Sequence, residues 1–97
     1  MITDKTFVVA SSNQSSSELD PDTTVVLGHA SGMYHGLNRI GTRIWRLVQD
    51  PTSVDEICDQ LLSQYDVEPA RCRRDVTELL EALLEHGLLE VRSDREI

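Results

Sequence analysis

The chain has 97 residues, room for one domain with a single thin core. Hydrophobic residues make up 39% of it, enough to exclude wholesale disorder, and with so few aromatic residues the core must rest on Leu, Val and Ile. Its 17 acidic against 9 basic residues leave a net charge of −8, which repels nucleic acid and anionic membrane surfaces and favours a neutral or basic partner.

Residues 5–10, Lys-Thr-Phe-Val-Val-Ala, are β-branched and aromatic and predict a short strand. Residues 11–22 are Ser, Asn, Gln and Asp with one Pro, the composition of a flexible loop. A second strand is expected over 23–28. His29-Ala30-Ser31-Gly32 is a turn, with Gly32 free to take positive φ, and residues 33–37 complete a hairpin.

Three helices follow. Asn38 is placed to cap the first, whose Ile40, Ile44, Leu47 and Val48 recur at helical spacing beside Trp45, a core residue; Pro51 marks its end. Ser53 and Glu56 form an S-x-x-E capping box for the second, with Val54, Ile57, Cys58, Leu61, Leu62 and Tyr65 as its apolar stripe. Pro69 suits the first position of the third, with Glu68 or Asp66 as cap. Its apolar face is Cys72, Val76, Leu79, Leu80 and Leu83, and Gly87 closes it. Leu88, Leu89 and Val91 suggest a short extended segment, with residues 92–97 as a tail. The expected fold is therefore α+β: a three-stranded antiparallel sheet followed by three helices in one domain over 1–97, similar to a winged helix-turn-helix.

The opening Met1-Ile2-Thr3-Asp4-Lys5 has no basic stretch leading into an apolar run, and no segment approaches the ~18 apolar residues of a membrane span. Cys58 and Cys72 are too few for a secreted disulfide framework, so the expected location is the cytoplasm. No catalytic constellation is apparent. His29 and His35 flank a turn, His86 sits at a helix end, and the two thiols lie on apolar helix faces where they read as core. Neither a metal site nor a cofactor site is expected, and the glycines form no phosphate-binding motif. Arg71, Arg73 and Arg74 open what would be the recognition helix of an acidic winged-helix DNA-binding regulator, the alternative reading. Asp75, Glu78, Glu81 and Glu85 on the same helix oppose a phosphate backbone.

The segment Met33-Tyr34-His35-Gly36-Leu37 carries no Lys, Glu or Pro to blunt an exposed edge. It reads equally as an inner hairpin strand or as an edge that accepts an extended peptide by strand addition.

The run Gly32-Met33-Tyr34-His35-Gly36-Leu37-Asn38-Arg39-Ile40-Gly41-Thr42-Arg43-Ile44-Trp45 resembles PqqD-like proteins, the recognition elements of ribosomally made, post-translationally modified peptides. Ser53-Val54-Asp55-Glu56-Ile57, Tyr65-Asp66-Val67-Glu68-Pro69, Arg74-Asp75-Val76 and His86-Gly87-Leu88-Leu89 agree in order, so the resemblance spans about residues 23–91. It is nearest to the discrete leader-binding proteins of lasso peptide biosynthesis. The resemblance implies that a leader peptide adds to the third strand and lies against the third helix, anchored by apolar side chains. The strand contacts would be Met33, Tyr34, His35 and Gly36, and the helix contacts Arg71, Arg74, Asp75, Glu78 and Leu79. It also implies a precursor peptide, a separate leader peptidase and a macrocyclase as partners, and no catalysis by this chain. The serine-rich stretch 11–22 is longer than the pattern calls for, which leaves the register of the first strand open.

Overall fold

A computed structural model describes residues 2–3 and 5–92. The elements are β1 (Phe7–Ala10), β2 (Gln14–Asp20), β3 (Thr23–Gly28), β4 (Tyr34–Leu37), α1 (Arg39–Leu47), β5 (Thr52–Ser53), α2 (Val54–Gln64), α3 (Pro69–Glu85) and β6 (Leu89–Arg92). The α+β class and the three helices are as the sequence predicts. The strands, however, form two antiparallel sheets of three, ordered β5-β1-β6 and β2-β3-β4, where one sheet was expected. Among the described residues no helix is long and apolar enough to cross a membrane.

Residues 11–22, expected as a loop, hold the strand β2 over Gln14–Asp20, with irregular backbone left only at 11–13 and 21–22. Ser16 faces Val26 and Ser17 faces Val25, so β2 pairs along β3 in regular register until a bulge between Glu18 and Asp20. The hydroxyls of Ser15, Ser16 and Ser17 make no core, which hides the strand from a hydropathy reading, but ladder hydrogen bonding needs only backbone. Arg46 of α1 holds this strand in place by a two-pronged contact, its Nε and Nη2 each donating to a Glu18 carboxylate oxygen at 2.9 Å. With β2 occupying this place, β1 is freed from the hairpin. It pairs instead with β6, Val8 opposite Val91 and Ala10 opposite Leu89, and with the two residues of β5. The extended segment expected near Leu89 is thus a true strand; of the expected tail, residues 93–97 lie outside the described residues.

The helix ends behave as their residues dictate. The Asn38 side chain accepts from Gly41 N–H at 2.9 Å, and Ser53 Oγ accepts from Glu56 N–H at 3.2 Å. The Glu56 carboxylate accepts from the Thr52 hydroxyl at 3.0 Å, tying β5 to the helix it precedes. Glu68 caps α3, with Pro69 behind it. At the far end Leu88 N–H reaches Leu83 C=O at 2.9 Å and Gly87 N–H reaches Leu84 C=O at 3.0 Å, a closing pair made possible by Gly87 at φ +76°. That turn sends the chain from α3 into β6.

The core lies between the helices and the inner faces of both sheets. Val8 from β1, Val26 from β3, Ile44 and Trp45 from α1 with Val48 at its C-terminal cap, Val54, Ile57 and Leu61 from α2, and Val76, Leu80 and Leu83 from α3 meet there with Leu88 and Leu89. Each helix contributes part of the stripe that its spacing predicts, while Ile40, Tyr65 and Leu79 of those stripes are left partly exposed.

Candidate peptide-binding groove

β4 is the edge strand of its sheet, bonded to β3 alone. Its register sets Leu37 opposite Thr24, Gly36 opposite Val25, His35 opposite Val26 and Tyr34 opposite Leu27. The Gly28 N–H donates to Met33 C=O at 3.0 Å, so Met33, His35 and Leu37 turn their backbone groups toward β3. Tyr34 and Gly36 therefore turn theirs outward, to a side where no strand lies among the described residues. The same alternation sorts the side chains. His35 and Leu37 share the inner face with the buried Thr24 and Val26, while Tyr34 and Gly36 share the outer face with Val25 and Leu27.

Beside this free edge runs a groove of about 670 Å³. Gly36 and Leu37 form one wall; Arg71, Cys72, Asp75, Val76 and Leu79 of α3 form the opposite one. Ile40, Gly41 and Ile44 of α1, with Leu61 and Tyr65 at the end of α2, supply the floor. The α2–α3 connection, Asp66, Val67 and Glu68, closes the end. Gly41 allows strand and helix to meet closely: a Cβ there would stand 3.2 Å from Leu37 Cβ. The floor is apolar and the rim charged, the arrangement by which a groove admits apolar side chains and orients them with polar groups.

Of the residues singled out in the sequence, Gly36, Arg71, Asp75 and Leu79 border the groove. Met33, Tyr34 and His35 lie along the same strand segment outside its lining, and Arg74 and Glu78 are exposed on α3 without reaching it. Asp75 joins the two arginines, with Arg71 Nε at 3.7 Å and Arg74 Nε at 3.8 Å from its carboxylate. Arg73 Nη1 donates to Asp55 on α2 at 2.7 Å. These acidic partners blunt the positive face that a DNA-reading helix would need. His35 packs its ring on His86, with centroids 4.6 Å apart, and Cys72 is buried at the groove wall. Among the described residues no three His, Cys, Asp or Glu side chains gather as a metal site would require.

Sequence reasoning missed the floor. Ile40 is 38% exposed and Val67 43% exposed, both large apolar residues that the fold leaves uncovered. Val67, between two acidic residues in a short connection, was the signal available. The helical spacing assigns Tyr65 to a core stripe; it is half-buried, with Arg39 above its ring at 5.7 Å.

The comparisons with known proteins follow this geometry. The family model of coenzyme PQQ synthesis protein D (PqqD) matches residues 23–89, which begin at β3 and end in β6. The solved structure of TbiB1 in complex with the TbiA(beta) leader peptide is similar, with 34% identity and a TM-score of 0.79, over 89% of this chain and 99% of that one. A lasso peptide synthetase B1 complexed with its leader peptide is similar at 28% identity and a TM-score of 0.75, over 86% of this chain and 96% of that one. None of the curated proteins matches significantly. With two hairpin strands, three helices and the groove between them all inside the matched region, the chain belongs to the PqqD family, as a PqqD-like peptide recognition element.

Proposed function

We propose that this protein binds the leader segment of a ribosomally made precursor peptide, in the lasso peptide branch, and presents it to a separate leader peptidase and a macrocyclase. The observation that carries this reading is the unpaired edge of β4 standing against an apolar groove. An extended leader adds to β4 through the backbone groups of Tyr34 and Gly36, framed by Met33 and His35. Alternate leader side chains then enter the groove and lie on Leu79, Ile40 and Ile44. Arg71, Arg74, Asp75 and Glu78 face the polar side chains that flank those anchors. The two similar solved structures are complexes with a leader peptide, which supports leader binding by this fold.

The protein contributes binding, and the bond-breaking chemistry belongs to its partners. Holding the leader raises the local concentration of the attached core peptide at the processing site. This work belongs in the cytoplasm, where precursor peptides are made.

The test is fluorescence anisotropy with a labelled synthetic leader from the precursor encoded beside this gene, against a scrambled control. Saturable binding of the native leader alone is expected, together with faster leader cleavage when the peptidase is added. Equal binding of both peptides by the folded protein overturns the proposal.

A further inference from the structure

Gly36 occupies a position that nothing in this chain reserves for glycine. Its backbone is ordinary strand, since Gly32 and Gly87 are the glycines of positive φ. A Cβ built on it meets nothing within 4 Å. Glycine inside a strand weakens it, through extra chain entropy and the lack of a side chain to pack, and commonly marks close approach by a ligand or another backbone. Here the neighbours define what would come. On the outer face Gly36 lies opposite Val25, half-buried, and next along that face comes Tyr34, 70% exposed, opposite Leu27. On the other side, Asn38 has its side-chain oxygen engaged in capping α1. The result is an open notch with an apolar floor and one aromatic wall, at the edge where no strand pairs.

We propose that this notch is a second subsite, adjoining the groove that Gly36 also borders: a bulky apolar side chain of the added peptide, aromatic or branched aliphatic, lies across Gly36 onto Val25 and against Tyr34. The inference rests on strand addition to β4. A residue of the added strand that sits opposite Gly36 has its side chain on the same face as Val25, the face opposite the buried Thr24 and Val26. The peptide is therefore read on both of its faces, one set of alternate side chains by the groove and one residue of the other set by the notch. Only a residue without a Cβ leaves room for a large side chain to cross the strand there.

The experiment compares the parent protein with Gly36→Ala, Gly36→Val and Tyr34→Pro, using the labelled leader and an alanine scan of it. Gly36→Val should melt at or above the parent temperature, because valine suits a strand. It should bind the leader about tenfold or more weakly, with Gly36→Ala between the two. One apolar leader residue should cost about tenfold when truncated against the parent and less than about threefold against Gly36→Val, since the notch it fills is already gone. Leader binding by Gly36→Val within about threefold of the parent overturns the notch, as does a scan in which truncation losses are the same on both proteins. Should Gly36→Val fail to fold, the same comparison is made with Gly36→Ala, and unchanged binding and scan overturn it equally. Tyr34→Pro separates the two ideas: if it binds like the parent, strand addition fails and the notch with it; if it loses binding while Gly36→Val keeps it, the notch alone fails.

Discussion

Backbone direction decides which single residues matter on β4. Met33 N–H donates to Ser31 Oγ at 3.2 Å within the turn, and its carbonyl serves β3. Proline at Met33 therefore costs a turn contact, whereas proline at Tyr34 deletes a donor on the free edge, where proline is otherwise tolerated. Tyr34→Pro is expected to lower leader affinity by about tenfold or more and Met33→Pro by much less, measured as dissociation constants on proteins with matched melting curves. Ile40 offers a sharper separation of binding from folding. It stands at the start of α1, whose first turn has no acidic residue. An aspartate there meets the positive end of the helix, worth about 0.3–1 kcal/mol, which offsets the loss of a partly exposed side chain. Ile40→Asp should leave the unfolding midpoint nearly unchanged while placing a charge on the groove floor and weakening leader binding by about tenfold or more. Equal affinity would remove Ile40 from the contact surface.

The pair that fastens β2 to α1 makes stability depend on acidity in a defined direction. The hydrogen bonds from Arg46 hold the Glu18 carboxyl below its ordinary range, outweighing a smaller opposite push from desolvation. A group whose folded value is depressed stabilises above its unfolded value and loses that contribution as pH falls through the folded one. Glu18→Gln should thus be less stable than the parent at about pH 7, with the gap closing by about pH 3, in urea titrations at each pH. A gap that persists in acid would place the loss in packing rather than charge. The elements themselves were unequally legible in the sequence. The helices announced themselves through Asn38, Ser53, Pro69 and Gly87, because caps are local chemistry that one residue performs. β2 did not, because Ser15, Ser16 and Ser17 bring no apolar side chain to a solvent-exposed edge, and composition alone cannot tell that from a loop. The same reason hid the second sheet: nothing near Phe7 says that its partner is Arg92. Of the residues lining the groove, Gly36, Arg71, Asp75 and Leu79 are among those the sequence singles out. The floor from Ile40 and Tyr65 is not, since apolar residues at helical spacing look alike whether they fill a core or line a cleft.

The core shared by both sheets and all three helices binds the chain into one cooperative unit. Leu80 is fully buried at its centre, on the helix that also walls the groove. Leu80→Ala should cost about 2–5 kcal/mol, a large part of the stability a domain of this size commands, and lower the thermal midpoint seen by any probe together. Separate transitions for hairpin and helices would show two units instead. The arrangement of β1 carries a consequence of another kind, concerning the order in which the chain is made. During synthesis the first strand emerges early but meets only the two residues of β5 until Leu89–Arg92 leave the ribosome. Closing that pairing brings Phe7–Ala10 to Leu89–Arg92, segments far apart in the sequence, which is slow compared with forming helices and hairpins. The β2–β3–β4 hairpins and the three helices can thus be assembled, with β4 already presented, before the last strand arrives. The pairing of β1 with β6, which sets Leu89 opposite Ala10, is then the contact expected to form last in refolding.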